Sequence, residues 1–187
     1  MKKAILTYLS ITIALAYVGA GFQAPAGAKD ASSAGKLQQL TFKEFKCTIT
    51  APNSFELNTK DTSVGRMFVL VDPARDKQNY RALSVSIVPD ANGDLPGFVD
   101  GILAPYHEGL KDYKEETLPP QMIDGHKFAA KKYSGAFPKT GTPNVGCVYA
   151  TLENGTYFAL IASCNGKEGA NALPQLLDAI KTFHISK

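Results

Sequence analysis

Apolar and polar residues alternate along several short segments of the chain, which is the pattern of β-strands with one buried face. Phe45, Cys47 and Ile49 alternate with polar residues and predict a first strand. Pro52 is expected to end it, because proline has no amide hydrogen to donate to a strand ladder. The same reasoning predicts strands over residues 55–58, 66–71, 81–88, 121–123, 127–133, 145–152 and 157–163.

Two other segments have helical spacing. Between residues 95 and 111, apolar side chains recur every three or four positions and predict an amphipathic helix, which Pro105 should bend. The residues of this stripe are Leu95, Phe98, Val99, Ile102, Leu103, Tyr106 and Leu110. A second stripe predicts a closing helix, and it consists of Leu173, Leu176, Leu177, Ile180 and Phe183.

The strands 145–152 and 157–163 form the clearest predicted hairpin. Asn154-Gly155 between them suits the positive φ angles of a type I′ turn. In that register Leu152 faces Tyr157 and Cys147 faces Ala162. Both faces of the hairpin would be apolar, so we expect helices to cover both sides of the sheet. The predicted fold class is α+β, with an antiparallel sheet of about six to eight strands.

The order of these elements resembles the PsbP/DcrB-like superfamily. The resemblance covers residues 42–185 and depends on strands, turns and spacings. The segments that carry the resemblance are the opening one from Phe45 to Phe55, Leu95-Pro96-Gly97-Phe98, Ile123-Asp124-Gly125-His126-Lys127-Phe128 and Thr182-Phe183-His184-Ile185. Phe55 departs from the family's common pattern, which has tryptophan at this position. The resemblance implies an antiparallel sheet between helices and a binding or assembly role, and it brings no shared catalytic residues.

The amino terminus has the order of regions found in a bacterial secretory signal peptide. Lys2 and Lys3 precede an apolar stretch, and Ala26-Gly27-Ala28 places small residues at the −3 and −1 positions. The apolar stretch is shorter than the roughly 20 residues that span a bilayer. We therefore predict a signal peptide over residues 1–28, a mature terminus at Lys29, and a periplasmic or secreted protein with no transmembrane segment after cleavage.

The remaining chain is predicted to hold a flexible leader over residues 29–39 and one domain over residues 40–187. The leader is rich in alanine, serine, glycine and lysine and has no apolar period. Loss of Lys2 and Lys3 lowers the formal net charge from +3 to +1. A nucleic-acid-binding domain usually carries a strongly basic surface, so we expect no nucleic-acid partner.

No sequence motif in the chain indicates catalysis, a cofactor or a metal. His107, His126 and His184 are far apart and none has a partner at metal-ligand spacing. Cys147 lies in an apolar strand, which favours a buried structural thiol over a nucleophile. The sequence therefore predicts no catalytic, cofactor-binding or metal-binding residues.

The three cysteines allow at most one intramolecular bridge in an oxidising compartment. We predict that this bridge involves Cys164, which ends its strand, with either Cys47 or Cys147 as its partner. Cys147 and Cys164 would stand diagonally on the hairpin, at about 7–8 Å between backbones. That separation is long for a disulfide.

Two predicted loops are long for hairpin connections, residues 72–79 and 134–144. The second contains Phe137 and Pro138 among small residues, and these two form a predicted partner-binding loop unless Phe137 folds back onto the core. Three functions stay open. They are a non-enzymatic envelope protein that binds or assembles with an unidentified partner, a periplasmic carrier of a small apolar ligand, and a hydrolase-type enzyme.

Overall fold

The computed structural model describes residues 36–73, 79–91 and 93–186. The predicted signal peptide and the mature terminus at Lys29 lie outside the described residues. Most of the predicted 72–79 loop does as well.

The described residues form two antiparallel sheets and two helices. The smaller sheet has the order β1-β2-β10, and the larger sheet has the order β3-β4-β5-β9-β8-β7-β6. The elements are β1 (Leu37–Phe42), β2 (Cys47–Pro52), β3 (Glu56–Asp61), β4 (Arg66–Val71), β5 (Arg81–Val88), α1 (Leu95–Gly109), β6 (Lys111–Ile123), β7 (His126–Ala136), β8 (Pro143–Glu153), β9 (Thr156–Asn165), α2 (Gly166–Ile180) and β10 (His184–Ile185). The predicted α+β class with an antiparallel sheet is confirmed.

Two parts of the large sheet match their predictions closely. Strands β4 and β5 have the predicted bounds. The β8–β9 hairpin has the predicted register, with Leu152 opposite Tyr157 and Cys147 opposite Ala162. Asn154 and Gly155 have φ angles of 49° and 73°. The turn chemistry of these two residues fixed the pairing, because a two-residue loop leaves one favoured register.

The edge strand β6 is much longer than predicted. Only residues 121–123 were expected to form a strand, but β6 begins at Lys111. The segment is almost entirely exposed, so it lacks the alternating apolar side chains that identify a strand. Pro119 and Pro120 fall at a shift in the β6–β7 register between Leu118 and Gln121. An edge strand tolerates prolines there because one side of its backbone has no neighbour.

The first strands also differ from the prediction. Phe45 lies in a short 3-10 helix (Lys43–Phe45), so the strand expected from Phe45 begins at Cys47. Lys46 has a φ of 50°, and this left-handed residue turns the chain into β2. Strand β1 begins at Leu37, within the segment expected to be a flexible leader, because its backbone pairs with β2. Strand β3 covers Glu56–Asp61, where residues 55–58 were expected.

The helices end earlier than predicted. Helix α1 ends at Gly109 instead of residue 111, and Leu110 is extended because β6 starts at the next residue. Helix α2 ends at Ile180, so Phe183 of the apolar stripe lies beyond the helix. Phe183 is nevertheless buried, and its ring contacts those of Phe128 and Phe158.

The two helices pack against different sets of side chains from the same strands. Buried residues of α1 share a cluster with Val148, Ala150, Ala159 and Ile161. Buried residues of α2 share the other main cluster with Cys147, Tyr149, Leu160 and Ala162. These two sets alternate along β8 and β9, as side chains on opposite faces of a sheet do.

Candidate binding cleft

An open cleft of about 400 Å³ lies between α1 and the neighbouring strands β6 and β7. Its volume falls within the roughly 300–1,000 Å³ typical of ligand pockets. The cleft is lined by charged side chains around a small apolar floor. The lining residues are Asp100, Leu103, Ala104, His107, Glu108, Glu115 and Lys131.

Helical and strand periodicity together bring these residues to one place. Asp100, Ala104, His107 and Glu108 have the spacing of one helix face, and they are exposed. The stripe formed by Val99, Ile102, Leu103 and Tyr106 is buried and attaches α1 to the sheet. On the strands, Glu115 lies opposite Tyr133, and Lys131 lies opposite Val148.

Lys131 joins the helix to the edge of the sheet. Its Nζ lies 2.7 Å from Oδ1 of Asp100 and 2.6 Å from Oε1 of Glu115. Partial burial by itself would lower the pKa of Lys131, but hydrogen bonds and Coulomb attraction from these two carboxylates outweigh that effect and raise it. The ammonium therefore stays charged between two carboxylates that come from different elements.

Aromatic rings form one side of the same region. The Tyr113 hydroxyl donates a 2.8 Å hydrogen bond to Oε2 of Glu115. Burial raises the pKa of Tyr113, and the adjacent Glu115 carboxylate raises it further. The His107 ring meets the Tyr113 ring edge to face, with centroids 5.1 Å apart. The phenol therefore stays neutral and donates to Glu115 across the ordinary pH range.

A buried tyrosine pair supports the cleft from below. The ring of Tyr133 lies 4.3 Å from that of Tyr106, and the Tyr133 hydroxyl donates to Oγ of Ser163 at 3.1 Å. Burial raises the pKa of both tyrosines, so both hydroxyls are neutral. Gly146 makes room for this pair, because a Cβ there would lie 2.5 Å from two Tyr133 ring atoms.

The charges that line the cleft are unequal. Asp100, Glu108 and Glu115 supply three carboxylates, whereas Lys131 supplies one ammonium. Leaving His107 out of the count, the formal lining charge is −3 + 1 = −2. The site therefore favours cationic ligands over anionic ones by simple Coulomb attraction.

The predicted partner-binding loop lies at the far end of β7. It is shorter than expected, because β7 runs to Ala136 and β8 starts at Pro143. Phe137 is partly buried against the α1 cluster, and its N–H donates to the carbonyl of Thr142 at 3.0 Å. Pro138 is exposed. The structure thus packs Phe137 against the α1 cluster and leaves Pro138 accessible in the loop.

The three cysteines are free thiols in the structure, and all are buried. Burial raises the pKa of Cys47 and of Cys164 to about 12. Burial also raises the pKa of Cys147, although Lys132 opposes the effect. Cys147 and Cys164 stand diagonally on the hairpin, as predicted. The bridge involving Cys164 stays a prediction for protein from an oxidising compartment.

The histidines do not come together. His126 Nδ1 lies 2.9 Å from Oε1 of Glu153, and His184 Nδ1 lies 2.6 Å from Oδ2 of Asp124. His107 lines the cleft, a position that its sequence neighbours did not indicate. Among the described residues there is no group of three or more histidine, cysteine, aspartate or glutamate side chains placed to hold a metal ion. No helix in the described part of the chain has the length and apolar character needed to cross a membrane.

Comparison with known proteins finds similarity in structure only. No protein-family model matches the chain, and no curated protein matches it. The Saccharomyces cerevisiae Ran-binding protein Mog1p is similar with a TM-score of 0.55 and 15% identity, over 80% of this chain and 95% of Mog1p. Cyanobacterial PsbP (CyanoP) from Synechocystis sp. PCC 6803 is similar with a TM-score of 0.53 and 15% identity, over 87% of this chain and 100% of CyanoP.

These similarities confirm the fold that the order of elements predicted. The chain has a PsbP-like fold, shared with CyanoP and Mog1p. At this level of identity the likeness concerns the fold alone, and function depends on the site.

Proposed function

We propose that this chain is an exported, non-enzymatic protein of the cell envelope that binds or assembles with a protein partner. The cleft between α1 and β6 is its contact surface. Export rests on the signal-peptide pattern of residues 1–28 and places the mature protein in the periplasm or outside the cell. The partner role rests on the cleft.

The observation that carries the proposal is an open, charged cleft whose ionisable groups form ion pairs and hydrogen bonds with one another. Lys131 is held by Asp100 and Glu115, and Tyr113 is held by Glu115. A nucleophilic enzyme would instead need an activated hydroxyl or thiol beside a base. The described thiols are buried and have raised pKa values, which opposes that chemistry. This arrangement supports recognition over catalysis.

Two further observations support a protein partner over a small apolar ligand. The cleft is lined by charged side chains, whereas a carrier of apolar ligands needs an apolar pocket. Mog1p, which has the same fold, is described as a Ran-binding protein. The fold can therefore present a surface for another protein. The exposed tip around Pro138 would extend the contact beyond the cleft.

Site-specific photo-crosslinking in cells tests this proposal. A photoreactive amino acid would replace Ala104, which is exposed in the cleft, or Pro138 at the loop tip. The matched control would replace Asp178, an exposed residue of α2. We expect a discrete adduct from Ala104 in the envelope fraction, lost when excess unlabelled protein competes, and none from Asp178. Equal adducts at all positions, or labelling of the protein by a serine- or cysteine-directed activity probe, would contradict the proposal.

A further inference from the structure

We infer that the cleft binds a lysine or arginine side chain presented by the protein partner. This inference rests on the proposed function and names the chemistry of the contact. The incoming cation would bind among the carboxylates that line the cleft and would compete with Lys131 for Asp100 and Glu115.

Lys131 marks where a cation is stabilised. Its ammonium contacts one carboxylate from α1 and one from β6, at 2.7 and 2.6 Å. These distances are those of charge-assisted hydrogen bonds. The side chain of Asp100 is 64% exposed, so one of the two contacts can be exchanged for an external donor without opening the core.

The third carboxylate, that of Glu108, is available to an external cation. Glu108 lines the cleft but has no ion-pair partner within the part of the chain that the structure describes. It lies eight residues from Asp100 on the same helix face, with Ala104 between them. A second cation would therefore neutralise charge that Lys131 leaves unbalanced.

The shape and the remaining lining suit a long basic side chain. Ala104 is exposed in the cleft beside the buried Leu103 and offers a small apolar contact for the alkyl stem of a lysine or arginine. The His107 ring lines the cleft and meets the Tyr113 ring, with centroids 5.1 Å apart. An aromatic face attracts a nearby ammonium or guanidinium. The small floor and the charged rim together match an amphipathic side chain better than a compact inorganic cation.

The test is an NMR titration of the purified, nitrogen-15-labelled protein. The probes are the acetyl-lysine and acetyl-arginine methylamides, with the uncharged acetyl-norleucine methylamide as the control. We expect both basic amides to shift the backbone signals of Asp100, Glu108 and Glu115, and the shifts to weaken as salt is raised from low to high ionic strength. Norleucine amide shifting the same signals equally would overturn the inference. So would 1,4-diaminobutane binding at least tenfold more tightly than either amide, because that result assigns the cleft to a free diamine.

Three variants sharpen the test. Glu108→Gln should weaken binding about two- to fivefold, since an exposed ion pair contributes that much. Lys131→Met should tighten binding by a similar factor, because it removes the internal competitor. Asp178→Asn, on the distant helix α2, makes the same charge change as Glu108→Gln and should alter nothing. Unchanged affinity in Glu108→Gln, or weaker binding in a folded Lys131→Met protein, would overturn the inference.

The outcomes separate this inference from the proposed function. Adducts from Ala104 together with no basic-amide binding would retain a partner-binding protein and reject a cationic contact. Amide binding in the cleft with no adduct from Ala104 would retain the cation site and reject the envelope partner.

Discussion

Replacing Gly146 with alanine should destabilise the protein by disturbing the tyrosine pair beneath the cleft. Gly146 lies in β8, opposite Tyr133 of β7 and Ser163 of β9. An added Cβ would lie 2.4 Å from the carbonyl oxygen of Ala162 and 2.5 Å from two atoms of the Tyr133 ring. Both contacts are too short to persist, so the Tyr133 ring has to move and the backbone of the central strand β9 at Ala162 has to shift.

The expected cost has two parts. Adding a methyl group to a packed core costs about 1–3 kcal/mol. Moving Tyr133 also breaks its 3.1 Å hydrogen bond to Ser163 in a buried setting, which costs about 1–3 kcal/mol. The free energy of unfolding should therefore fall by about 2–6 kcal/mol. At about 2–4 °C per kcal/mol for a domain of this size, the melting temperature should fall by roughly 4–24 °C.

Thermal unfolding followed by circular dichroism measures this effect, and Gly101→Ala provides a matched control. Gly101 lies within α1, and a Cβ there meets no atom within 4 Å. Alanine is about 1 kcal/mol better than glycine in a helix, so this variant should be stabilised. Glycine to alanine should therefore lower the free energy of unfolding at position 146 and raise it at position 101. An unchanged melting temperature in Gly146→Ala would refute the packing argument, as would an equal cost of this change in a Tyr133→Ala background.

Four further predictions concern the turn, the thiols and the amino terminus. Asn154→Val should cost about 1–2 kcal/mol, because a β-branched residue is strained at a φ of 49°, and an unchanged denaturant midpoint would contradict this. In protein kept reduced, Cys47, Cys147 and Cys164 should resist alkylation at pH 8 until denaturant is added, since burial raises their pKa values, and rapid labelling of the native protein would count against this. Mass spectrometry of protein from an oxidising compartment should find Cys164 in a bridge, and three alkylated thiols would rule this out. Amino-terminal sequencing of exported protein should begin at Lys29, and a retained Met1 would disprove signal cleavage.

Local patterns predicted the parts of the fold in which neighbouring residues determine the structure. The β8–β9 hairpin was predictable in its register because Asn154-Gly155 restricts the turn to two residues with positive φ. The helix α1 was predictable because one apolar stripe attaches it to the sheet. In both places, segment propensity, turn chemistry and burial agree on one structure.

The exposed edge of the large sheet was not predictable by the same reasoning. Strand β6 exists because its backbone pairs with β7, while its side chains are mostly in solvent. Hydrophobic alternation cannot identify a strand that buries neither face. Strand β1 was missed for a related reason, since Leu37 is 69% exposed and the segment is ordered by its pairing with β2.

The cleft depends on that unpredicted edge, which explains why sequence analysis did not find it. Asp100 and His107 could be placed on the outward face of α1 from the spacing of its apolar stripe alone. Glu115, which also lines the cleft, belongs to the exposed part of β6 that had no strand pattern. Lys131 reaches both carboxylates because the β6–β7 register sets Thr117 opposite it, two residues from Glu115 along the edge strand. A site assembled across a helix and an edge strand therefore becomes visible when strand pairing is known, even though each of its residues is unremarkable in sequence.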